Sequence, residues 1–335
     1  MRFLDLTQTF SVKKLNESFK GRKAFICSFA TLSLLIQNSP AFAWEPAAGL
    51  KQIPIWPDAS MPHKTGKFAV KGKEEDLKCT DMPVAGKPWL YTHHVWRPTV
   101  TLYPAKGKNT GVCIIVFPGG GYQILAMDLE GTEICDWFTA RGINCVLLKY
   151  RVPGEGVLPA AGHYPKSPLA LEDAQRAVSF VRQHAKEWKI NPKKIGVLGF
   201  SAGGHLSAAM STHHVPIYKK IDATDDISCR PDFAVPIYPG RLAIKQNHGT
   251  FKLNPDIQVT SKTPPVMIIQ AQDDPVDRVE NSLIFYQALR KANVPVEMHL
   301  YPKGGHAFGL RHTKNPITDW PELVIKWLSS MDFLN

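Results

Sequence analysis

The stretch that decides the fold is KIGVLGFSAG, residues 194–203. Its apolar run up to Phe200 is typical of a strand buried on both faces, and the Ala-rich residues after Ser201 favour a helix. Gly199 and Gly203 flank the serine as Gly-x-Ser-x-Gly, because a sharp strand-to-helix turn has no room for larger side chains there. Such a turn exposes a hydroxyl, so we predict Ser201 as a nucleophile.

Strand-like and helical stretches alternate on both sides of this turn, which predicts an α/β protein with a mainly parallel central sheet and helices on both faces. The expected strands are residues 94–103 (an edge strand), 111–117, 144–151, 194–200, 233–238, 266–271 and 296–301. The expected helices are residues 131–141, 167–188, a stretch after Ser201, 279–292 and 321–328. Residues 44–95 show little periodicity and predict an irregular segment packed on a catalytic domain of residues 96–335, which carries no large lid domain.

A nucleophilic serine needs a base and an orienting acid, and both follow Ser201 along the chain. The strand at 266–271 runs into Asp273 and Asp274, and the strand at 296–301 runs into a Gly-Gly loop that carries His306. The carboxyl ends of parallel strands meet at one edge of a sheet, so we expect these groups to lie near Ser201. The pattern predicts His306 as the base and leaves Asp273 and Asp274 as competing acids.

The nucleophile also requires backbone donors for the oxyanion. One is the N–H of Ala202, and the others are expected from Gly120 and Gly121, in the Gly-Gly-Gly turn after the strand at 111–117. Glycines let the main chain approach a substrate oxygen closely. The spacing of these glycines does not match a phosphate-binding loop, and no Lys-Ser or Lys-Thr follows them.

Residues 1–43 predict a secretory signal peptide. Basic residues precede an apolar run of about 13 residues, and Ala41-Phe42-Ala43 provides a small-x-small cleavage site. The run is too short for a typical transmembrane helix. We therefore expect cleavage after Ala43 and a secreted or periplasmic protein with no stable membrane insertion.

Composition narrows the remaining possibilities. The chain is 44% hydrophobic and 21% charged, as in a globular protein, and its formal charge of +11 is scattered, which does not favour a nucleic-acid site. Five cysteines follow the expected cleavage point, and the sequence does not assign their pairing, although Cys113 and Cys145 lie in apolar strands that favour buried free thiols. No cofactor or metal is expected, and the oligomeric state is left open.

Several of these motifs together resemble the esterases of the α/β-hydrolase superfamily. The residues that carry the resemblance are Phe117-Pro118-Gly119-Gly120-Gly121-Tyr122, Glu130-Gly131, Leu148-Lys149-Tyr150-Arg151, Gly199-Phe200-Ser201-Ala202-Gly203-Gly204-His205 and Gly304-Gly305-His306-Ala307-Phe308-Gly309. The chain is most similar to acetyl xylan esterase and feruloyl esterase-like proteins, often labelled xylanase- or dienelactone-hydrolase-like, and to hormone-sensitive-lipase-like esterases. The resemblance implies a serine carboxylesterase acting on short acyl groups of a small-molecule or carbohydrate ester.

The resemblance also bears on single residues. Family turns of the form Asp-x-x-Val favour Asp273 as the acid and leave Asp274 as a turn residue. Pro118 replaces the histidine of the lipase-type His-Gly-Gly-Gly motif, so another group must stabilise that loop. Glu130 is expected to cap the following helix, with a place in the site as the alternative. A prolyl-oligopeptidase-like peptidase and a catalytically silent binding module are the competing functions.

Overall fold

A computed structural model describes residues 44–153 and 167–334 of the chain. The predicted signal peptide lies outside these ranges, as do residues 154–166.

The central sheet has eight strands, in the spatial order β1-β4-β7-β5-β8-β9-β12-β13. These are β1 Gln52–Pro54, β4 Thr99–Tyr103, β5 Cys113–Phe117, β7 Asn144–Lys149, β8 Ile195–Phe200, β9 Ala234–Ile237, β12 Val266–Ala271 and β13 Val296–Tyr301. In this spatial order, the six strands β7, β5, β8, β9, β12 and β13 run parallel to one another. At one side of the sheet, β4 pairs antiparallel with β7, and β1 pairs antiparallel with β4. The predicted α/β-hydrolase architecture is confirmed.

Every residue of β5, β7, β8 and β12 is buried, which explains why these strands are mostly apolar and show no alternation between apolar and polar residues. Five α-helices accompany the sheet in the described ranges: α1 Glu133–Thr139, α2 Leu169–Gln183, α3 Ala202–Thr212, α4 Glu280–Lys291 and α5 Trp320–Ser330. None of them has the length and hydrophobicity needed to cross a lipid bilayer. No separate lid domain is present in the part of the chain described.

The region predicted as irregular contains three of the strands. Besides β1, the chain forms a long hairpin of β2 Glu75–Val84 and β3 Lys87–His93, and β3 also pairs with the short strand β6 Ile124–Leu125. The hairpin escapes prediction because most of its residues are at least partly exposed on both faces, so its hydrophobicity does not alternate. The strand expected at an edge is also covered, since β1 pairs with β4.

The remaining strands, β10 Ala243–Lys245 and β11 Phe251–Leu253, form a small separate hairpin. All five cysteines in the described ranges are free thiols: Cys79, which is partly exposed, and the buried Cys113, Cys135, Cys145 and Cys229. Burial holds the pKa of the Cys113 thiol well above its usual value, which makes it unreactive. The expectation of buried free thiols at Cys113 and Cys145 agrees with this arrangement.

Candidate active site

Ser201 lies at the turn between β8 and α3, with φ 52° and ψ −113°. Few residues other than glycine adopt this conformation, and here it projects the hydroxyl beyond the end of the strand. A Cβ at Gly199 would collide with the carbonyl oxygen of Gly203, and one at Gly203 would collide with that of Phe117. Both glycines are therefore required by the close approach of strand and helix.

His306 is within hydrogen-bond distance of the nucleophile. Its Nε2 lies 3.0 Å from the Oγ of Ser201, and its Nδ1 lies 2.7 Å from Oδ2 of Asp274. A hydroxyl, an imidazole and a carboxylate thus form a continuous hydrogen-bonded chain, in the sequence order Ser, Asp, His. Such a chain can move a proton from the serine to the imidazole, because the carboxylate stabilises the imidazolium that results.

The carboxylate that contacts His306 belongs to Asp274, not to Asp273. The side chain of Asp274 is fully buried, and its Oδ1 accepts hydrogen bonds from the backbone N–H groups of Val276 and Asp277. Asp273 is exposed, and its Oδ1 accepts from the N–H groups of Gly304 and Gly305 instead. The preference for Asp273 is thus corrected. Asp273 stabilises the glycine loop that presents His306.

Two opposing effects act on the pKa of His306. Burial lowers it, since a charged imidazolium is poorly solvated there, but the hydrogen bond and the negative charge of Asp274 act in the other direction and prevail. The pKa of His306 is therefore raised above its ordinary value of 6.5. The raised pKa makes the neutral imidazole a stronger base toward the serine proton.

The glycine turn after β5 faces Ser201, and two buried side chains fix it. Glu130 accepts a hydrogen bond from the N–H of Gly119 at 2.7 Å, and the hydroxyl of Tyr150 donates to the carbonyl of Pro118 at 2.6 Å. These contacts supply the stabilisation that the lipase-type histidine cannot provide at Pro118. Gly120 and Gly121 line the same cavity as Ala202, where the sequence predicts the oxyanion donors.

Glu130 does not cap a helix, so that expectation was wrong. It lies in a π-helical turn, Asp128–Thr132, and its other oxygen accepts from the hydroxyl of Tyr238 at 2.8 Å. Burial raises the pKa of Glu130. The alternative interpretation is the correct one: Glu130 is part of the site's framework, behind the oxyanion loop.

Ser201 and His306 open into a cavity of about 450 Å³. Its walls come from the β2–β3 hairpin, the glycine turn and the loops after β9 and β12; the lining residues include Met82, Trp89, Gly120, Gly121, Ser201, Ala202, Arg241, Val276, Asp277 and His306. Two of the lining residues are exposed apolar residues: Met82 is 69% exposed and Val276 is 64% exposed. The sequence did not predict the contribution of the hairpin.

A second carboxylate in the site was also missed. Oδ2 of Asp277 lies 3.1 Å from the Ser201 Oγ and 3.9 Å from Nε2 of His306. Its position three residues after Asp274 was the available signal, because a tight turn at the end of β12 directs both side chains toward the same strand end. In the described ranges, no group of three or more His, Cys, Asp or Glu side chains is arranged to hold a metal ion.

Comparison with known proteins identifies the family to which the chain belongs. Residues 101–235 match the family model BD-FAE, and residues 169–331 match the model of the prolyl oligopeptidase family. A crystal structure of an acetyl ester-xyloside bifunctional hydrolase from Caldicellulosiruptor lactoaceticus is 32% identical, covers 85% of this chain and 97% of its own, and superposes with a TM-score of 0.65. The chain therefore belongs to the α/β-hydrolases, in the branch of serine carboxylic ester hydrolases.

Two curated relatives are similar to this chain over less than half of their own length. An acetylxylan esterase of Xylanibacter ruminicola is 32% identical over 60% of this chain and 42% of its own length. An endo-1,4-beta-xylanase B of Butyrivibrio fibrisolvens is 33% identical over 72% of this chain and 41% of its own length. The chain thus spans less than half the length of either relative.

Proposed function

We propose that the protein is a secreted esterase that removes short acyl groups, chiefly acetyl, from carbohydrates such as xylan. The observation that carries the proposal is the hydrogen-bonded chain of Ser201, His306 and Asp274 at a cavity of about 450 Å³. That volume is within the range of small-ligand sites and has room for a small acyl group together with part of a sugar. The names of the acetyl ester hydrolase and acetylxylan esterase relatives support the choice of substrate.

The reaction proceeds through an acyl-enzyme. His306 takes the proton of Ser201 as its Oγ attacks the ester carbonyl, and Asp274 stabilises the imidazolium. The N–H groups of Gly120, Gly121 and Ala202 are the proposed donors to the oxyanion. The Ala202 donor is available because the first N–H groups of a helix have no acceptor within the helix. His306 then protonates the leaving alcohol. In the second half of the reaction His306 takes a proton from the water that attacks the acyl carbonyl, and returns it to the Oγ of Ser201 as the C–O bond breaks and the acid leaves.

The direct test is the substitution Ser201→Ala, assayed with p-nitrophenyl esters of increasing acyl length beside acetylated xylan. We expect the wild-type protein to prefer acetyl esters, and the variant to lose at least about 10³-fold in kcat. A fluorophosphonate probe should label only the wild type. Full activity in pure Ser201→Ala protein would refute the proposal, and absence of labelling in the wild type would favour a catalytically silent binding module.

A serine peptidase is the second candidate, because residues 169–331 match the prolyl oligopeptidase family. That segment contains the serine, the acid and the base, so both activities account for the match. A proline-directed p-nitroanilide added to the substrate panel separates them. Hydrolysis of the anilide faster than of any ester would replace the esterase by the peptidase.

Secretion forms a separate part of the proposal, and it rests on the signal-like pattern of residues 1–43. Expression of the full chain in a bacterial host followed by N-terminal sequencing of the exported protein tests it. We expect a mature chain that begins at Trp44. Uncleaved protein confined to the cytoplasm would refute this part and leave the esterase proposal intact.

A further inference from the structure

The Asp277 carboxylate has no place in the transfer of the serine proton, yet it faces the reacting atom. Its Oδ2 is 3.1 Å from the Oγ of Ser201, on the cavity side of the triad, and its side chain is 18% exposed. Burial raises its pKa, and the positive charge of His306 opposes that effect. A partly desolvated carboxylate at this point is costly unless a hydrogen-bond donor faces it.

The position of Asp277 is firmly fixed. Its N–H donates to Oδ1 of Asp274, and its carbonyl accepts from the side-chain amide of Gln270 at 3.1 Å. Gly240 packs so closely against the carboxylate that a Cβ there would lie 2.7 Å from Cγ of Asp277. The carboxylate is thus placed by the same residues that orient the triad acid.

Acylation removes the donor that Asp277 has in the resting enzyme. The Ser201 hydroxyl has one proton, which can be donated to Asp277 or to His306 but not to both. Once the proton passes to His306 and the acyl group occupies Oγ, the serine has nothing left to donate. The charges of His306, whose Nε2 is 3.9 Å away, and of Arg241 still act on the carboxylate, but its short hydrogen bond is lost unless the substrate supplies a new donor.

We propose that Asp277 binds a free hydroxyl of the alcohol part of the substrate, next to the ester that is cleaved. This inference rests on the proposed esterase function and names its substrate class: partly acylated polyols and sugars, in preference to alcohols with a single oxygen. A hydroxyl donates to the carboxylate and takes the place of the serine proton as the reaction begins. Asp277 is thus a specificity-determining residue rather than a member of the triad.

The charge around the site argues for a hydroxyl rather than an ammonium group. Arg241 lines the same cavity, and its positive charge lowers the pKa of Asp277. A second cation would be repelled by it, whereas a neutral hydroxyl is not. The apolar side chains of Met82 and Val276 at the same cavity suit the carbon face of a ring.

The experiment uses two esters that differ by one hydroxyl, 2-hydroxycyclohexyl acetate and cyclohexyl acetate. We expect the wild-type kcat/KM to be at least about tenfold higher for the hydroxylated ester, after correction for their alkaline hydrolysis rates. Substitution Asp277→Ala should lower that ratio to near one, and Asp277→Asn, which keeps an acceptor oxygen, should give an intermediate ratio. A site that hydrogen-bonds a hydroxyl discriminates in this way because its polar group is otherwise left unpaired.

Asp319→Ala is the matched control, since Asp319 is a 69% exposed aspartate outside the cavity, and it should keep the wild-type ratio. A wild-type ratio near one, an unchanged ratio in Asp277→Ala, or an equal loss on both esters would overturn the inference while the esterase function stands. Hydrolysis of neither ester, together with no fluorophosphonate labelling, would overturn both.

Discussion

At the scale of single residues, the site depends on which of two adjacent aspartates points inward. Asp274 is buried and contacts His306, whereas Asp273 is exposed and accepts from two glycine N–H groups. The two residues share a side chain and a strand end, so they form a matched pair for mutagenesis.

We expect Asp274→Asn to lower kcat on acetyl esters by on the order of 10³–10⁴-fold, because an amide neither stabilises the imidazolium nor holds the required tautomer. Asp273→Asn should lose less than about tenfold, because the amide oxygen still accepts from Gly304 and Gly305. Steady-state kinetics on p-nitrophenyl acetate measures both. Equal losses, or the larger loss at Asp273, would contradict the structure.

The pH dependence of activity follows from the raised pKa of His306. The base must be neutral, so kcat/KM should fall as the pH drops through an apparent pKa above 6.5. In Asp274→Asn the largest of the effects that raise the pKa of His306 is removed, while Asp277 and Glu130 still raise it and burial still lowers it, so the acid limb should move to lower pH. A pH–rate profile of the residual activity tests this. A limb that stays in place would show that Asp274 does not set the pKa.

Sequence reasoning located the nucleophile and the base but not the acid. Ser201 and His306 are each marked by glycines that only a tight turn requires, whereas Asp273 and Asp274 are neighbours in one turn. A one-residue difference in a turn reverses which side chain faces the sheet end. That orientation depends on the hydrogen bonds that the N–H groups of Val276 and Asp277 donate to the Oδ1 of Asp274. Pattern alone does not contain this information.

At the scale of elements, the oxyanion loop depends on one buried side chain. Glu130 accepts from Gly119 on the loop and from Tyr238 at the end of β9, and so connects two strand ends that flank the nucleophile. Removing it leaves a buried N–H and a buried hydroxyl without their acceptor.

Glu130→Ala should therefore lower kcat on acetyl esters by about 10²-fold, through a loop that no longer holds its N–H groups in place, and should destabilise the fold by about 1–3 kcal/mol per unpaired group. Glu130→Gln keeps an acceptor for Gly119 and should retain most of the activity. Parallel measurements of kcat and of urea unfolding separate the two effects. Wild-type kcat in Glu130→Ala would exclude a role for this residue in supporting the loop.

The buried strands of the central sheet were predicted from the sequence, whereas the exposed strands were not. The strands at 266–271 and 296–301 agree with the structure to the residue, because each is bounded by turn residues. The β2–β3 hairpin went unpredicted because it lies outside the main core and therefore carries no hydrophobic period. Exposed strands that line a cavity are the elements that burial patterns fail to detect.

At the scale of the whole molecule, the end of β7 connects three distant parts of the chain. Lys149 pairs with Glu74 at 2.5 Å, Tyr150 contacts the oxyanion loop, and Arg151 forms a two-pronged pair with Asp173 on α2. Trp56 of the N-terminal segment donates to the same aspartate at 2.7 Å. Family resemblance marked this stretch, and the structure shows that it joins the N-terminal segment to the sheet.

Arg151→Met should lower the free energy of unfolding by about 3–5 kcal/mol, because it leaves the fully buried carboxylate of Asp173 without its cation. The double variant Arg151→Met with Asp173→Leu should be more stable than the single one, since it removes the carboxylate that depends most on Arg151, while Glu172, which also contacts Arg151, keeps His63 as a partner. Chemical denaturation followed by tryptophan fluorescence measures both. A double variant less stable than Arg151→Met would show that packing, rather than charge, dominates here.

The backbone conformation of Ser201 lowers the stability of the fold at the residue that reacts. Its φ of 52° and ψ of −113° hold the reactive residue in a conformation that costs a side chain about 1–3 kcal/mol. Glycine adopts this conformation without that cost. The free energy of unfolding of Ser201→Gly should therefore be about 1 kcal/mol higher than that of Ser201→Ala, although both variants lack the nucleophile. Equal stability of the two would show that the turn is relaxed. The protein thus has a lower folding stability because of the backbone conformation that its nucleophile requires.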